Sequence, residues 1–218
     1  MANKKGSWIS IIFFFAIFSA GCAGIPQREP VKPDLSLPVG EVEGTQFIGI
    51  RYPFKVSAPP GWQIATEYPE FMLELGYGKE GLEESQVFIF NPATQSNLQI
   101  DFSPAGRYAR FNQKGIEQLT NMGEGSFREE LQDDYGKDIL VEISPTEPYS
   151  LKGVPYAAKK YATYTLKGVK REQGWVYAFA EPYQIFILYI ILEKEGANDR
   201  QGIKSILDSF EVVSEGKK

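Results

Sequence analysis

The sequence predicts an α+β domain built on one antiparallel β-sheet with helices on both faces, an α/β/α sandwich. Three observations predict it. Segments of alternating apolar and polar residues recur between Phe54 and Phe179, the period of a half-buried strand. Ile185 to Leu192 is an apolar run without alternation, too short for a helix and suited to a central strand covered on both faces. Helix-spaced apolar residues lie before and after the last long strands, so that helices can cover opposite sides of the sheet.

The elements follow in chain order. Phe54, Val56 and Ala58 alternate with Lys55 and Ser57; Pro59-Pro60-Gly61 then suits a turn in which glycine takes positive φ, and Trp62 and Ile64 resume the alternation with the indole buried. Val87 to Phe90 forms a strand, Asn91-Pro92 to Ser96 a bend, and Leu98, Ile100 and Phe102 one face of the next strand. Ile116 and Leu119, then Phe127, Leu131 and Tyr135, each occupy one helix face. Gly123 and Gly125 are expected to divide two helices, the second opened by a Ser126/Glu129 capping box.

Ile139, Val141 and Ile143 give a strand, and Tyr149 and Leu151 precede a turn at Lys152-Gly153. Ala158, Ala162, Tyr164 and Leu166 share one parity; Trp175, Tyr177 and Phe179 share another in the following strand, and Pro182 marks a tight connection. The last helix starts near Asn198 or Asp199 and sets Ile203, Ile206, Leu207 and Phe210 on one stripe.

The first residues read as an address. Lys4 and Lys5, the apolar run Trp8 to Phe18 and the small residues Ser19-Ala20-Gly21 have the order of an export signal. The run is about 11 residues, against the roughly 20 that a membrane-spanning helix needs. The single cysteine, Cys22, follows directly, and the stretch resembles a bacterial lipoprotein signal in which such a cysteine becomes the lipidated first residue. The expected organisation is a signal peptide at 1–21, lipidated Cys22 with a proline-rich tether to 43, one domain at 44–213 and a polar tail at 214–218. Pro26, Pro30, Pro33 and Pro38 favour extended solvated backbone that lets the domain stand off the bilayer.

The opening Phe54-Lys55-Val56-Ser57-Ala58-Pro59-Pro60-Gly61-Trp62 resembles the F-x-[IV]-x-x-P-x-x-W start of PsbP-like and DcrB-like proteins, which share the Mog/PsbP fold. Gly153 followed by Ala157 and Ala158, the late apolar strand and Ile206-Leu207-Asp208-Ser209-Phe210 are similar to later landmarks of that family. The resemblance runs over about residues 46–213. It implies the fold and a tendency toward non-enzymatic binding or assembly roles, with no active site.

Composition excludes much chemistry. With no histidine and one cysteine among 218 residues there is no His-based nucleophile relay, no His- or Cys-cluster metal site, no CxxC pair and no intrachain disulfide. No catalytic residue, cofactor or metal is expected. The net charge of −5 becomes two units more negative when the signal, with Lys4 and Lys5 and no acid, is removed, so nothing points to nucleic acid and membrane attachment falls to the acyl chains.

Gly76-Tyr77-Gly78-Lys79-Glu80-Gly81 is a literal GxGxxG, but only four residues separate it from the next strand, too few for the helix a dinucleotide site needs. The acidic run Glu129, Glu130, Asp133, Asp134 and Asp138 lacks EF-hand spacing and reads as a solvated face. Arg107-Tyr108-Ala109-Arg110-Phe111 places two guanidiniums beside aromatics, and Arg107, Tyr108 and Arg110 are the expected partner contact; in the plainer reading Tyr108 and Phe111 pack under the helix while the arginines meet the acidic run.

The expected function is a lipid-anchored, non-catalytic binding or assembly module of the cell envelope, with a protein partner. In a bacterium with two membranes, Ala23 after the cysteine favours the outer membrane, facing the periplasm. The alternatives are an envelope hydrolase using carboxylates alone and a structural spacer.

Overall fold

The computed structural model describes residues 31–67, 69–71, 86–107, 109–193 and 198–213, apart from the side chains at 86, 126, 130 and 134. Its strands are β1 (Gly40–Glu43), β2 (Gln46–Gly49), β3 (Phe54–Ser57), β4 (Gln63–Ala65), β5 (Gln86–Phe90), β6 (Asn97–Pro104), β7 (Val141–Ile143), β8 (Glu147–Pro148), β9 (Tyr156–Leu166), β10 (Val169–Ala180), β11 (Tyr183–Leu192) and β12 (Glu211–Val212). Two helices, α1 (Gln113–Tyr135) and α2 (Asp199–Ser209), complete the described elements. The result is a mostly antiparallel β architecture with few helices.

The large sheet runs β4-β5-β6-β11-β10-β9-β7, with β8 also paired to β9; a small sheet runs β1-β2-β3-β12. The apolar run at 185–192 lies in β11, between β6 and β10, as its lack of alternation requires. Two residues, Glu181 and Pro182, join β10 to β11, so that Ala180 pairs with Tyr183. The turn at 59–62 closes with Trp62 N–H donating to the Pro59 carbonyl at 3.0 Å, and Gly61 has φ +83°. This is the conformation in which glycine avoids a Cβ clash. The turn hands the chain from one sheet to the other, since β3 pairs with β2 and β12 while β4 pairs with β5.

The main core joins Phe47, Phe54 and Val56 of the small sheet to Ile100, Phe102, Ile187 and Tyr189 of the large one and to Ile203, Ile206, Leu207 and Phe210 around α2. Phe54 stacks on Phe102 with centroids 5.0 Å apart. A second cluster forms where Ile116 of α1 meets Ala158 and Phe179, with Phe111, Leu119 and Tyr177 packed on it. Adjacent residues of β9, Ala157 and Ala158, thus serve different clusters, as strand geometry dictates. The Trp175 ring meets Phe127 at 5.5 Å, and its indole N–H donates to the Thr120 carbonyl at 3.0 Å, fixing α1 against β10.

Four expectations are corrected. Gly123 and Gly125 do not divide the helix: α1 is continuous, Ser126 and Glu129 lie within it, and the cap is Asn112, whose side chain accepts from Gly115 N–H at 2.8 Å. Packing of Ile116, Leu119, Phe127 and Leu131 on both sides of the glycines overrides a propensity cost of about 1 kcal/mol each. Tyr135, expected on the apolar face, is exposed, because α1 ends there and Gly136 turns away at φ +101°. The expected tether overlaps the fold: Gly40–Glu43 forms β1 and pairs with β2. Trp62 is half-buried rather than buried, lying against the core at its edge.

Candidate functional site

Cys22, Tyr108 and the glycine loop at 76–81 lie outside the described residues. Arg107 and Arg110 stand exposed just before α1. Phe111 tilts onto Phe179 with centroids 5.0 Å apart, so this aromatic packs under the helix while the flanking arginines point outward. Among the described residues no ion pair joins either arginine to the acidic run. Glu129, Asp133 and Asp138 are exposed, as a solvated face requires. Among the described residues no group of three or more acids could hold a metal ion.

The buried polar chemistry lies elsewhere, where β9, β10 and β11 meet α2. Glu172 of β10 is 6% exposed and accepts from the Tyr189 hydroxyl at 3.0 Å and from the Arg200 guanidinium of α2. Arg200 reaches on to Glu193 at 3.2 Å. Lys159 holds its ammonium over two rings, 5.2 Å from the Tyr189 centroid and 5.5 Å from that of Tyr149. Burial lowers the Lys159 pKa, and nearby Glu172 opposes that shift. The Tyr189 phenol is pushed far above its ordinary value by burial, reinforced by the adjacent Glu172 carboxylate. Every group here has a partner of opposite character, the pattern of a clamp that closes α2 onto the sheet.

The second buried acid, Asp199, is likewise saturated. It accepts from Ser96 Oγ at 2.6 Å and Asn91 Nδ2 at 2.8 Å, while Ser96 Oγ also accepts from Leu192 N–H at 2.9 Å. The bend between β5 and β6 is thereby tied to the start of α2. Against α1, the buried Lys160 ammonium of β9 donates to Glu124 at 2.6 Å and Asn121 at 2.9 Å, and the bond to Glu124 is the main reason that carboxyl is held below its usual range.

Two grooves among the described residues carry carboxylates. One of about 400 Å³ is lined by Asp138, Leu140, Glu142 and Thr163 beside β7, and its acids are exposed. The other, of about 790 Å³, runs past Pro53, Pro155, Pro182 and Tyr183 and includes Glu181 and Glu211. Glu211 pairs with Lys55 at 3.2 Å, and Glu181 is exposed. A carboxylate acid–base pair needs one member shielded from water so that it keeps its proton. In these grooves the acids are solvated or paired. Sequence reasoning missed the Lys159, Glu172, Tyr189 and Arg200 cluster, whose one signal was Glu172 on the strand parity of Val176, Ala178 and Ala180.

No protein-family model matches the chain, and no curated protein matches it. Among solved structures, the solution structure of cyanobacterial PsbP (CyanoP) from Synechocystis sp. PCC 6803 aligns with a TM-score of 0.52 and 14% identity, covering 81% of this chain and 99% of that one. A crystal structure from Bacteroides thetaiotaomicron VPI-5482 aligns with a TM-score of 0.48 and 12% identity over 81% of this chain, which spans 51% of that chain. The sheet order, the core and the CyanoP alignment together identify the described domain as having a PsbP-like fold.

Proposed function

We propose that this protein is a lipid-anchored, non-catalytic binding or assembly module of the bacterial cell envelope, held by acyl chains on Cys22 and engaging an envelope protein. The observation that carries the non-catalytic reading is the state of its carboxylates. The buried acids Glu172 and Asp199 are occupied by Tyr189, Arg200, Ser96 and Asn91, and those in the grooves stand in water or in an ion pair. The anchor rests on Cys22 directly after Ser-Ala-Gly. In a source with two membranes, Ala23 directs the protein to the outer membrane, facing the periplasm.

We read the layering as α/β/α. Val176 and Ala178 of β10 share a core with α2, whereas Tyr177 and Phe179 share one with α1, and this alternation supports helices on opposite faces.

For the partner contact we retain Arg107 and Arg110, exposed beside α1. Tethering raises the local concentration of any partner fixed in the same membrane or wall, so modest affinity suffices. In-cell photocrosslinking from position 110 should capture one reproducible envelope protein, and alanine at both arginines should weaken its binding roughly tenfold with the melting temperature unchanged. No reproducible crosslink would end the binding reading; unchanged affinity would move the contact elsewhere. The hydrolase alternative is favoured only by the Asp138 and Glu142 groove, and hydrolysis abolished by Glu142→Gln would establish it.

A further inference from the structure

Large apolar side chains that stand exposed are unevenly placed. Eleven occur among the described residues, and six of them, Val31, Leu35, Leu37, Val42, Ile48 and Ile50, fall within one stretch of twenty residues, each 38% to 54% exposed. Their backbone is held together. The Arg51 side chain donates to the carbonyls of Leu35 and Leu37, and the amides of Ile50 and Arg51 both donate to the Val39 carbonyl. In β2, Phe47 turns into the core and the adjacent Ile48 turns to the outer face of the small sheet. Val42 pairs with Phe47 and so belongs to the inner face of the edge strand β1, which leaves Val31, Leu35, Leu37, Ile48 and Ile50 as the apolar rim fixed to the domain at the outer side of that sheet.

The chain on its amino-terminal side says what covers it. Eight residues separate Cys22 from Val31, a reach of at most about 30 Å and less when not fully extended. We propose that this rim is a membrane-docking surface, seating the acylated protein against zwitterionic phospholipid rather than leaving the domain free on its tether. The inference rests on acylation of Cys22. Acyl chains alone fix the chain to the bilayer, and the rim adds shallow burial at the headgroup boundary. The stretch carries Asp34, Glu41 and Glu43 against Lys32 and Arg51, and Lys55 is paired with Glu211, a mixed rim with no basic cluster among the described residues to select anionic lipid. Docking is therefore independent of anionic lipid content.

The single cysteine makes the test direct. In the acylated full chain Cys22 is blocked, so a cysteine introduced at Leu35→Cys, Ile50→Cys or Lys167→Cys is the sole free thiol for a polarity-sensitive dye. Lys167 lies in the turn between β9 and β10, at the far end of the twelve-residue β10 from Ala180. On phosphatidylcholine vesicles, dyes at 35 and 50 should shift to the blue and be quenched by brominated lipid, and the dye at 167 should do neither. One labelled thiol per chain with no lipid response at 35 and 50 would overturn docking and leave the anchor standing. Two labelled thiols would overturn the anchor and docking with it. A blue shift at 35 and 50 without vesicles, in a dimer, would assign the rim to a second copy of the chain and overturn lipid docking.

Discussion

The indole of Trp62 lies flat against Gly202 of α2: a Cβ built on that glycine would stand 2.6 Å from Trp62 Cζ2 and 2.8 Å from its Nε1. The turn at 59–62 therefore positions the ring that the helix rests on. Gly202→Ala should lower stability by about 1–3 kcal/mol through overpacking, against a gain of about 1 kcal/mol in helix propensity. Trp62→Ala should cost about 2–4 kcal/mol, near the lower end for a core aromatic because the ring is half-buried. In the Trp62→Ala background Gly202→Ala should become stabilising. Urea denaturation of the four proteins measures this; additive effects would mean the two residues do not meet.

Gly123 and Gly125 give the opposite sign. Both lie inside α1 with ordinary helical backbone, and a Cβ on either meets nothing within 4 Å. Gly123→Ala and Gly125→Ala should each raise stability by about 0.5–1 kcal/mol, read as a higher melting temperature. A loss at either position would indicate that the helix is broken there, as the sequence pattern first suggests.

Acid sensitivity should trace in part to Glu124. Its carboxyl is held below the ordinary glutamate value of 4.5, mainly by the hydrogen bond from Lys160. A depressed carboxylate contributes stability above its unfolded pKa and loses it as pH falls through the folded one. The melting-temperature advantage of wild type over Glu124→Gln should be full near neutral pH and shrink below pH 4.5. An advantage that persists undiminished at about pH 2 would remove Glu124 from the acid response.

Tyr189 should not ionise in the folded protein. Burial and the neighbouring Glu172 hold its phenol protonated, and the ring packs so closely on Gly174 that a Cβ there would stand 2.1 Å from Tyr189 Cζ. Spectrophotometric titration of native wild type and Tyr189→Phe should give the same amplitude until alkaline unfolding. Tyr189→Phe should also cost about 1–3 kcal/mol, since it withdraws a hydrogen bond from a buried carboxylate. A smaller native amplitude in Tyr189→Phe would show that the phenol titrates.

Some of these relationships were legible in the sequence. The turn at 59–62, the central position of β11 and the stripe of α2 each depend on residues close in the chain, whose spacing carries the information. The small sheet was not. β1, β2 and β12 span 4, 4 and 2 residues, too short for alternation to stand out, and β12 joins β3 across the length of the domain. α1 misled because glycine propensity is local while its packing on Trp175 and Ala158 is not. The Glu172 cluster draws on β9, β10, β11 and α2, and only the register of three strands brings Lys159, Glu172 and Tyr189 together. Arg107 and Arg110 could be placed by sequence beside the helix, but whether they reach the described residues of the acidic run is a matter of direction in space.

The proposed anchor is the feature on which the proposed envelope location, tethering and partner contact all depend. Cells expressing the full chain should be grown with radiolabelled palmitate, and wild type compared with Cys22→Ser at equal expression. The expected result is label in wild type and none in the variant, with wild type in the membrane fraction and Cys22→Ser released from it. Unlabelled wild type, or label retained by Cys22→Ser, would contradict a lipid-anchored envelope module.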